Sequence, residues 1–169
     1  MKKVITMIAV LLAFTLNAGA QGNVPEAPQT EFVMQLKVTL GETYSCGETQ
    51  HGRRTVIPIT GGTFEGPNIK GTILNGGADY QLASGGRTEV EAIYSIKTDD
   101  GVYIHIRNRG IIGNSKDAQG NPSFYFRCAP QFEAPNDSKY AWLNNSLFLC
   151  APSFSQGFQG IVLNVWRVK

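Results

Sequence analysis

Few residues in this sequence have side chains suited to proton transfer, and they lie far apart along the chain. His51 and His105 are the two histidines, and Asp79 and Glu65 each come shortly after a pair of glycines. General acid–base catalysis needs such a group in an enclosed site that shifts its pKa. The candidate catalytic residues are therefore His105, Asp79 and Glu65, although a histidine on a strand is also a common structural residue. His51 precedes two arginines in a polar segment, which predicts an exposed side chain.

The segment 102–109, VYIHIRNR, has the clearest functional pattern in the chain. Tyr103, His105, Arg107 and Arg109 alternate with apolar residues, so they share one face of a predicted strand. If that face points into a closed barrel, these polar side chains line an enclosed pocket. If it points outward, they form an ordinary solvated strand face.

A second segment repeats this alternation and contributes further binding candidates. Tyr125 and Arg127 lie on one predicted face, opposite a row of apolar residues. An arginine here or at position 109 is expected to pair with Glu133 or Asp79, or to hold a ligand carboxylate with two hydrogen bonds. Trp142, in the segment YAWLN, is expected either to cover a pocket mouth by stacking on a ligand or to plug one end of the barrel.

Other kinds of chemistry have no recognisable motif in the sequence. The two histidines are far apart, and no spacing of histidine, cysteine or acidic residues resembles a metal site. There is no nucleophile elbow, phosphate loop or dinucleotide fingerprint. The sequence therefore predicts no metal and no cofactor.

The N-terminus predicts export from the cytoplasm. Lys2 and Lys3 precede an uncharged apolar run and the small residues Ala18-Gly19-Ala20, which is the pattern of a secretory signal peptide cleaved after Ala20. Removing these 20 of the 169 residues leaves 149, with 13 basic and 13 acidic side chains. A neutral chain without a basic cluster predicts no nucleic-acid partner, and no other apolar run is long enough to span a membrane. We expect a periplasmic or secreted protein.

Three cysteines suit such an oxidising compartment. Cys128 and Cys150 lie in similar contexts, RCAP and LCAP, on two predicted strands joined by one connection. If these strands pair antiparallel, the two cysteines come close to opposite each other, within disulfide reach. The alternative is two buried free thiols. Cys46 is then left over and is expected to be a small buried or turn residue.

The elements that must position these residues are predicted to be strands throughout. Residues 32–40 alternate strictly between apolar and polar, and similar runs recur to the C-terminus, separated by Gly-rich and Asn-rich turns such as Asp99-Asp100-Gly101. Residues 43–54 are polar and predict a loop, and Gly61-Gly62 interrupt a β-branched run where something must approach closely. No window has a helical period.

The predicted fold is all-β, a single antiparallel up-and-down barrel of about eight to ten strands, calycin-like, with a β-sandwich as the alternative. We expect a signal peptide at 1–20, a flexible leader at 21–30 and one barrel domain at 31–169.

The order of short motifs also resembles the uncharacterised bacterial family known as domain of unknown function 3237. The resemblance covers residues 31–168 and is carried by LGE at 40–42, GET at 47–49, HGRR at 51–54, PITGGTFEGP at 58–67, GGAD at 76–79, TDDG at 98–101, RNRG at 107–110 and YAWLN at 140–144. It implies a compact β-barrel and nothing specific about activity. The signal peptide and the cysteines at 128 and 150 depart from the family pattern and suggest a periplasmic adaptation.

Two functions are compatible with these observations. The first is a secreted barrel that binds a small anionic or aromatic molecule, with the candidate ligand-binding residues Tyr103, Arg107, Arg109, Tyr125, Arg127 and Trp142. The alternative is a cofactor-independent acid–base enzyme of the lyase, hydratase or isomerase type. In that case one of the three candidate catalytic residues moves a proton while an arginine stabilises an oxyanion.

Overall fold

The structure is a computed structural model that describes residues 25–169 of the chain. The predicted signal peptide and the first part of the predicted leader lie outside these residues. The strands are β1 (Thr30–Leu40), β2 (Tyr44–Thr49), β3 (Gly52–Glu65), β4 (Lys70–Ile73), β5 (Gly77–Ser84), β6 (Arg87–Thr98), β7 (Tyr103–Lys116), β8 (Pro122–Glu133), β9 (Phe148–Ser153) and β10 (Gly160–Val168). A single 3₁₀ turn at Ala141–Asn145, here called the plug, lies between β8 and β9.

The strands form one closed antiparallel barrel, which confirms the predicted architecture over the alternative sandwich. The order around the sheet is β1-β10-β9-β8-β7-β6-β4-β3, and β3 pairs with β1 to close the ring. β5 fills the space between β3 and β6 beyond the end of β4, so these two short strands share one position. β2 is an additional strand that pairs with the first half of β3.

The double glycine lies inside a strand, where it allows the barrel to close. β3 continues through Gly61 and Gly62, which have φ of 143° and 133°. A Cβ on Gly62 would overlap the carbonyl oxygen of Lys37 on β1. The close approach that the sequence predicted is therefore that of a neighbouring strand. The prediction of a loop at 43–54 was wrong, because β2 forms a hairpin with β3 in that region.

One end of the barrel is closed by apolar packing. Leu143 of the plug is 1% exposed, and Tyr140 just before it is also buried. Phe132 and Phe148 meet edge to face with centroids 4.8 Å apart. The buried side chains of this half and of the barrel's middle belong to one core, whose fully buried members include Met34, Leu36, Ile96, Ile104 and Ile106. This core predicts a stable scaffold, because apolar burial is the main stabilising contribution to folding.

The other end of the barrel is open. Ala92, Ile112 and Ile161 lie on the inner face by strand register, yet they are only partly buried. A surface groove of about 670 Å³ lies at the rim of this end, next to the β5–β6 turn, and its lining extends inward to Thr88 and Ile112. This end of the barrel is therefore less completely filled by side chains than the end that holds the plug.

Candidate functional site

Three inward-facing residues lie side by side in the open half of the barrel. Asp79 on β5 is paired with Ala92 on β6, and Ala92 is paired with Asn108 on β7. Paired residues of adjacent strands point to the same side of a sheet, so all three side chains project inward. The methyl group of Ala92 occupies little of the space between the two polar side chains.

Asp79 is a largely buried carboxyl group with one oxygen free. Its Oδ2 accepts a hydrogen bond of 2.7 Å from Gln81 Nε2, whereas its Oδ1 is buried and has no partner among the described residues. Burial raises the pKa of Asp79, and the hydrogen bond from Gln81 and the nearby backbone N–H of Glu91 partly offset that increase. Such a carboxyl group keeps a proton at a higher pH than an ordinary aspartate, which is the property needed in a general acid.

Asn108 contributes a second buried oxygen without a partner. The residue is 4% exposed, and no group within residues 25–169 donates a hydrogen bond to its Oδ1. An unsatisfied buried acceptor costs about 1–3 kcal/mol of stability. This oxygen is therefore available to a bound molecule that carries a hydrogen-bond donor.

The two cysteines lie on the inner face next to this site. Cys128 and Cys150 are directly opposite each other, and theirs is the single paired position of the β8–β9 ladder in the described chain. Both are buried and carry free thiols in the structure, so the disulfide stays a prediction. A hydrogen bond that the Cys128 thiol donates to Cys150, together with burial and the charge of Asp79, raises the pKa of the Cys128 thiol, which makes it a poor nucleophile. Gly110 leaves room for the Cys128 sulfur, since a Cβ at position 110 would overlap it.

The polar row on β7 faces outward. Ile104, Ile106 and Asn108 point into the core, whereas Tyr103, Arg107 and Arg109 lie on the outer face. Of the two orientations that the sequence left open, the structure has the outward one, so this row does not line an enclosed interior. A closed barrel fills its interior with the apolar side chains of each strand, and on β7 these are the even-numbered residues.

The outer face carries its own network of charges. Glu91 Oε1 accepts hydrogen bonds of 2.7 Å from the Nε atoms of both Arg107 and Arg109. These two hydrogen bonds lower the pKa of Glu91, which keeps this carboxylate ionised. The expected pairing of an arginine with Glu133 or Asp79 is thus replaced by pairing with Glu91. His105 also faces this side, and its Nδ1 lies 3.3 Å from Ser95 Oγ.

A groove of about 620 Å³ runs across the same outer face. Five of the residues that line the groove have aromatic or basic side chains: Arg54, Tyr80, Arg109, Tyr125 and Arg127. Arg127 lies 5.8 Å from the centroid of the Tyr125 ring and donates a 2.7 Å hydrogen bond to its neighbouring backbone carbonyl, that of Phe126. Among the described residues, Arg54 and Arg127 form no salt bridge, so their charges are available to an anion.

The remaining candidates are distributed over other parts of the surface. Glu65 is exposed on the outside of β3, away from both regions. Trp142 belongs to the plug, with its ring 6.0 Å from that of Phe148 and 5.3 Å from the guanidinium of Arg167. The segment lies at the closed end of the barrel, and a ligand contact by Trp142 stays a prediction. Cys46 is exposed at an irregularity of β2, so the expectation of a buried or turn residue was wrong.

Sequence reasoning missed Gln81, Ala92 and Asn108 as site residues. A signal was present for one of them, because Asn108 interrupts the inward apolar series that begins with Ile104 and Ile106. A polar residue at a core position is a candidate functional residue, since burial of an amide needs a compensating partner. The small side chain of Ala92 had no such signal.

The described part of the chain has no cluster suited to a metal ion and no membrane-spanning helix. Within residues 25–169, no three histidine, cysteine or acidic residues are grouped closely enough to bind a metal. In the same range, none of the helical segments has the length and hydrophobicity needed to cross a bilayer.

Comparison with known proteins identifies the family. A model described as Protein of unknown function (DUF3237) matches residues 28–168. The chain belongs to this family. It is 36% identical over 150 residues to a UPF0311 protein of Rhodopseudomonas palustris, which covers 83% of this chain and 96% of that protein. It is also 29% identical over 140 residues to the hydroalkoxylation enzyme phnH of Penicillium herquei, covering 83% of each chain.

Solved structures similar to this chain have the same fold. The conserved protein of unknown function RPA1785 from Rhodopseudomonas palustris has a TM-score of 0.74 at 31% identity, with 86% of this chain and 100% of that chain covered. A β-barrel like protein of Acinetobacter baumannii has a TM-score of 0.74 at 30% identity, covering 87% and 99%. An enzyme from Penicillium herquei has a TM-score of 0.64 at 25% identity, covering 88% and 99%.

Proposed function

We propose that this protein is a cofactor-independent acid–base enzyme in which Asp79 transfers the proton. The reaction is the addition of the O–H bond of a hydroxyl group across a carbon–carbon double bond, or the reverse elimination. The observation that supports the proposal is the free Oδ1 of a largely buried carboxyl group in the open half of the barrel. Of the three candidate catalytic residues, Asp79 has the raised pKa and the inward position. His105 and Glu65 lie on the outside of the barrel.

The proposed reaction conserves atoms and needs no second reactant when alkene and hydroxyl belong to one molecule. The protonated Asp79 carboxyl group donates its proton to one alkene carbon, and the π electrons form the new C–H bond. The hydroxyl oxygen attacks the resulting cationic carbon and forms the C–O bond. The Asp79 carboxylate then accepts the proton released from that oxygen, which restores the enzyme. The product is a cyclic ether isomeric with the substrate.

The family relationship supports this class of reaction. The Penicillium herquei relative is named for hydroalkoxylation, which is the addition of an O–H bond across an alkene. The open end suits a small organic substrate, because the inward-facing Ala92, Ile112 and Ile161 are apolar and partly exposed. Sites of this kind combine apolar walls with a few converging polar groups.

A direct test uses 2-(3-methylbut-2-enyl)phenol as the probe, because its alkene forms a tertiary cation on protonation. We expect the wild-type protein to convert it to an isomer of unchanged mass that lacks the phenolic hydroxyl, detected by liquid chromatography and NMR. In D₂O the product should gain one carbon-bound deuterium. The variant Asp79→Asn should lose at least 100-fold in rate, since a general acid contributes about 10²–10⁴-fold.

The matched control for this experiment is Asp137→Asn. Asp137 is exposed in the connection before the plug, so the same chemical change there should leave the rate unaltered. Equal rates for wild type and Asp79→Asn would contradict the assignment of Asp79. Absence of cyclisation by the wild type of this and other alkenyl alcohols would contradict the proposed reaction.

The outer groove supports a second candidate function, the binding of a small anionic aromatic molecule. Arg54 and Arg127 form no salt bridge within residues 25–169, and Tyr80 and Tyr125 offer ring faces, although Glu89 and Glu91 also line the groove. Arginine binds carboxylates with two hydrogen bonds, and tyrosine rings stack on aromatic ligands. If this groove is the binding site, benzoates should raise the Tm of the wild type and not that of Arg127→Ala. An equal rise in both proteins would exclude Arg127 from the site.

We also propose that the protein is exported and acquires a Cys128–Cys150 disulfide. The paired position of these residues supports the bond. The two thiols would pass two electrons and two protons to an oxidising disulfide, and closing this loop would stabilise the protein by about 3 kcal/mol. Protein recovered from the periplasm should begin at Gln21, and without reductant a thiol reagent should label the exposed Cys46 alone. Labelling of Cys128 and Cys150 after denaturation without reductant would contradict the bond.

A further inference from the structure

We infer that Asn108 selects ligands that are neutral and carry a hydroxyl donor, so that the substrate class is phenols or alcohols and not carboxylates. The inference rests on the proposed function for the place where the ligand lies. It concerns binding and not turnover, and it assigns a role to a residue of the inner face that takes no part in proton transfer.

The buried atoms left without a partner are all hydrogen-bond acceptors of one kind. Within residues 25–169, the buried side-chain nitrogen and oxygen atoms without hydrogen bonds are Asp79 Oδ1 and Asn108 Oδ1. Both are oxygens, and the amide oxygen of asparagine accepts hydrogen bonds in every protonation state. A carboxylate ligand has acceptor atoms only, so it offers no donor to the Asn108 oxygen. A hydroxyl group supplies the donor that they lack.

The two residues that carry these oxygens lie close together on the inner face of the barrel. Asp79 and Asn108 lie on either side of Ala92 in the same cross-strand row, one strand away in each direction. Side chains on one face of neighbouring strands converge when the sheet curves toward that face, as it does inside a barrel. One small molecule seated over Ala92 therefore reaches both residues.

The positive charges of β7 lie on the outside of the barrel. The arginines of β7, Arg107 and Arg109, are on the outer face and paired with Glu91, so they do not neutralise an anion inside. The inner positions that flank Asn108 on its own strand are Ile106 and Gly110. An anionic ligand in the open half would therefore meet apolar walls and neither of these arginines.

The test compares two molecules of nearly equal shape that lack the alkene and are therefore not converted. These are 2-(3-methylbutyl)phenol and its methyl ether, 2-(3-methylbutyl)anisole, measured by isothermal titration calorimetry with the wild-type protein. We expect the phenol to bind about tenfold more tightly than the ether, with the corresponding benzoate weaker than both. Equal affinities for phenol and ether, or binding of neither, would overturn the inference.

A variant then assigns the preference to the residue. Asn108→Leu keeps the approximate volume and removes the acceptor, so it should weaken binding of the phenol about tenfold and leave that of the ether unchanged. Asn108→Asp, which retains an acceptor oxygen, provides a second variant should the leucine protein fail to fold. Equal weakening of both ligands by Asn108→Leu would contradict the role of Asn108.

The outcomes for Asn108 and for catalysis are separable. Asp79→Asn should lose turnover of the alkenyl phenol while it retains a preference for phenol over ether. A clear phenol preference without turnover by the wild type would leave the inference intact and contradict the proposed reaction. Turnover without a phenol preference would support the proposed reaction and contradict the inference on Asn108.

Discussion

At the scale of single residues, Asp79 combines features that rarely occur together in a structural side chain. Most of its carboxyl group is buried, one oxygen is bonded to Gln81, and the other has no protein partner. Burial favours the neutral form of a carboxyl group, so ionisation at this position destabilises the fold. Functional residues often have such a cost, because catalysis requires a reactive group in a water-poor site.

This cost gives Asp79→Asn a defined effect on stability. The pKa of Asp79 is raised in the folded state, so above about pH 3.9 the native state keeps a proton that the unfolded state has lost. The free energy of unfolding therefore falls as pH rises from about 3.9 through the folded pKa. The variant should therefore be more stable than the wild type by about 1 kcal/mol at pH 7 and about equally stable at pH 3. Urea unfolding at both values measures this. A variant less stable at pH 7 would show that the carboxylate stabilises the fold.

At the scale of elements, the plug is held by a hairpin at the same end of the barrel. Asp100 in the β6–β7 turn accepts 2.9 Å hydrogen bonds from the hydroxyl of Tyr140 and from Lys139 Nζ. Hydrogen bonds from Thr98, Lys139 and Tyr140 lower the pKa of Asp100 far below its usual range. The plug is therefore attached through a carboxylate that stays ionised in mildly acidic solution.

Removal of that charge should loosen the plug without opening the barrel. In Asp100→Asn, amide hydrogen exchange should accelerate at least fivefold over residues 135–146 and stay unchanged in β6 and β7. The pKa of Asp100 is lowered in the folded state, so its ionised form adds stability above about pH 3.9, and this stability is lost only as pH falls through the folded pKa. The wild type should therefore keep its protection from amide exchange at pH 5. Asp117→Asn, in the β7–β8 turn at the other end, is the control. Equal exchange in wild type and Asp100→Asn would exclude this attachment.

At the scale of the whole molecule, closure depends on backbone contact between β1 and β3. Six residues of β1 pair with β3, and the glycines at 61 and 62 allow the two strands to meet. Two constraints coincide at Gly62, because its φ is unfavourable for other residues and a Cβ would overlap the carbonyl of Lys37. The position that the sequence marks most strongly thus serves the scaffold and not the ligand.

A pair of glycine variants separates these two constraints. Gly62→Ala should destabilise the barrel by at least about 3 kcal/mol, because the added methyl group meets backbone that cannot move without breaking the β1–β3 ladder. Gly76→Ala, with φ of 113° but no atom within 4 Å of the added Cβ, should cost only about 1 kcal/mol. Thermal and urea unfolding measure both. Similar losses would mean that φ alone accounts for Gly62.

The strand pattern could be predicted because it is local. Alternation over residues 32–40 and 102–109, with turn residues between such runs, determines strands and hairpins, and it also groups Tyr103, Arg107 and Arg109 on one face. The polar residues at 43–54 predict a loop, because β2 has no apolar face and all six of its residues are exposed. β2 is nevertheless a strand, because its backbone pairs with β3.

By itself, the sequence determined the class of fold, the family and a short set of acid–base candidates that includes Asp79. Only the tertiary structure decided which face of each strand points inward, because alternation groups residues without assigning the groups to core or solvent. It turned the arginines outward and set Asp79 beside Asn108, two residues 29 positions apart that meet through the register of three strands. Such a register is a property of the closed sheet, and no local pattern contains it.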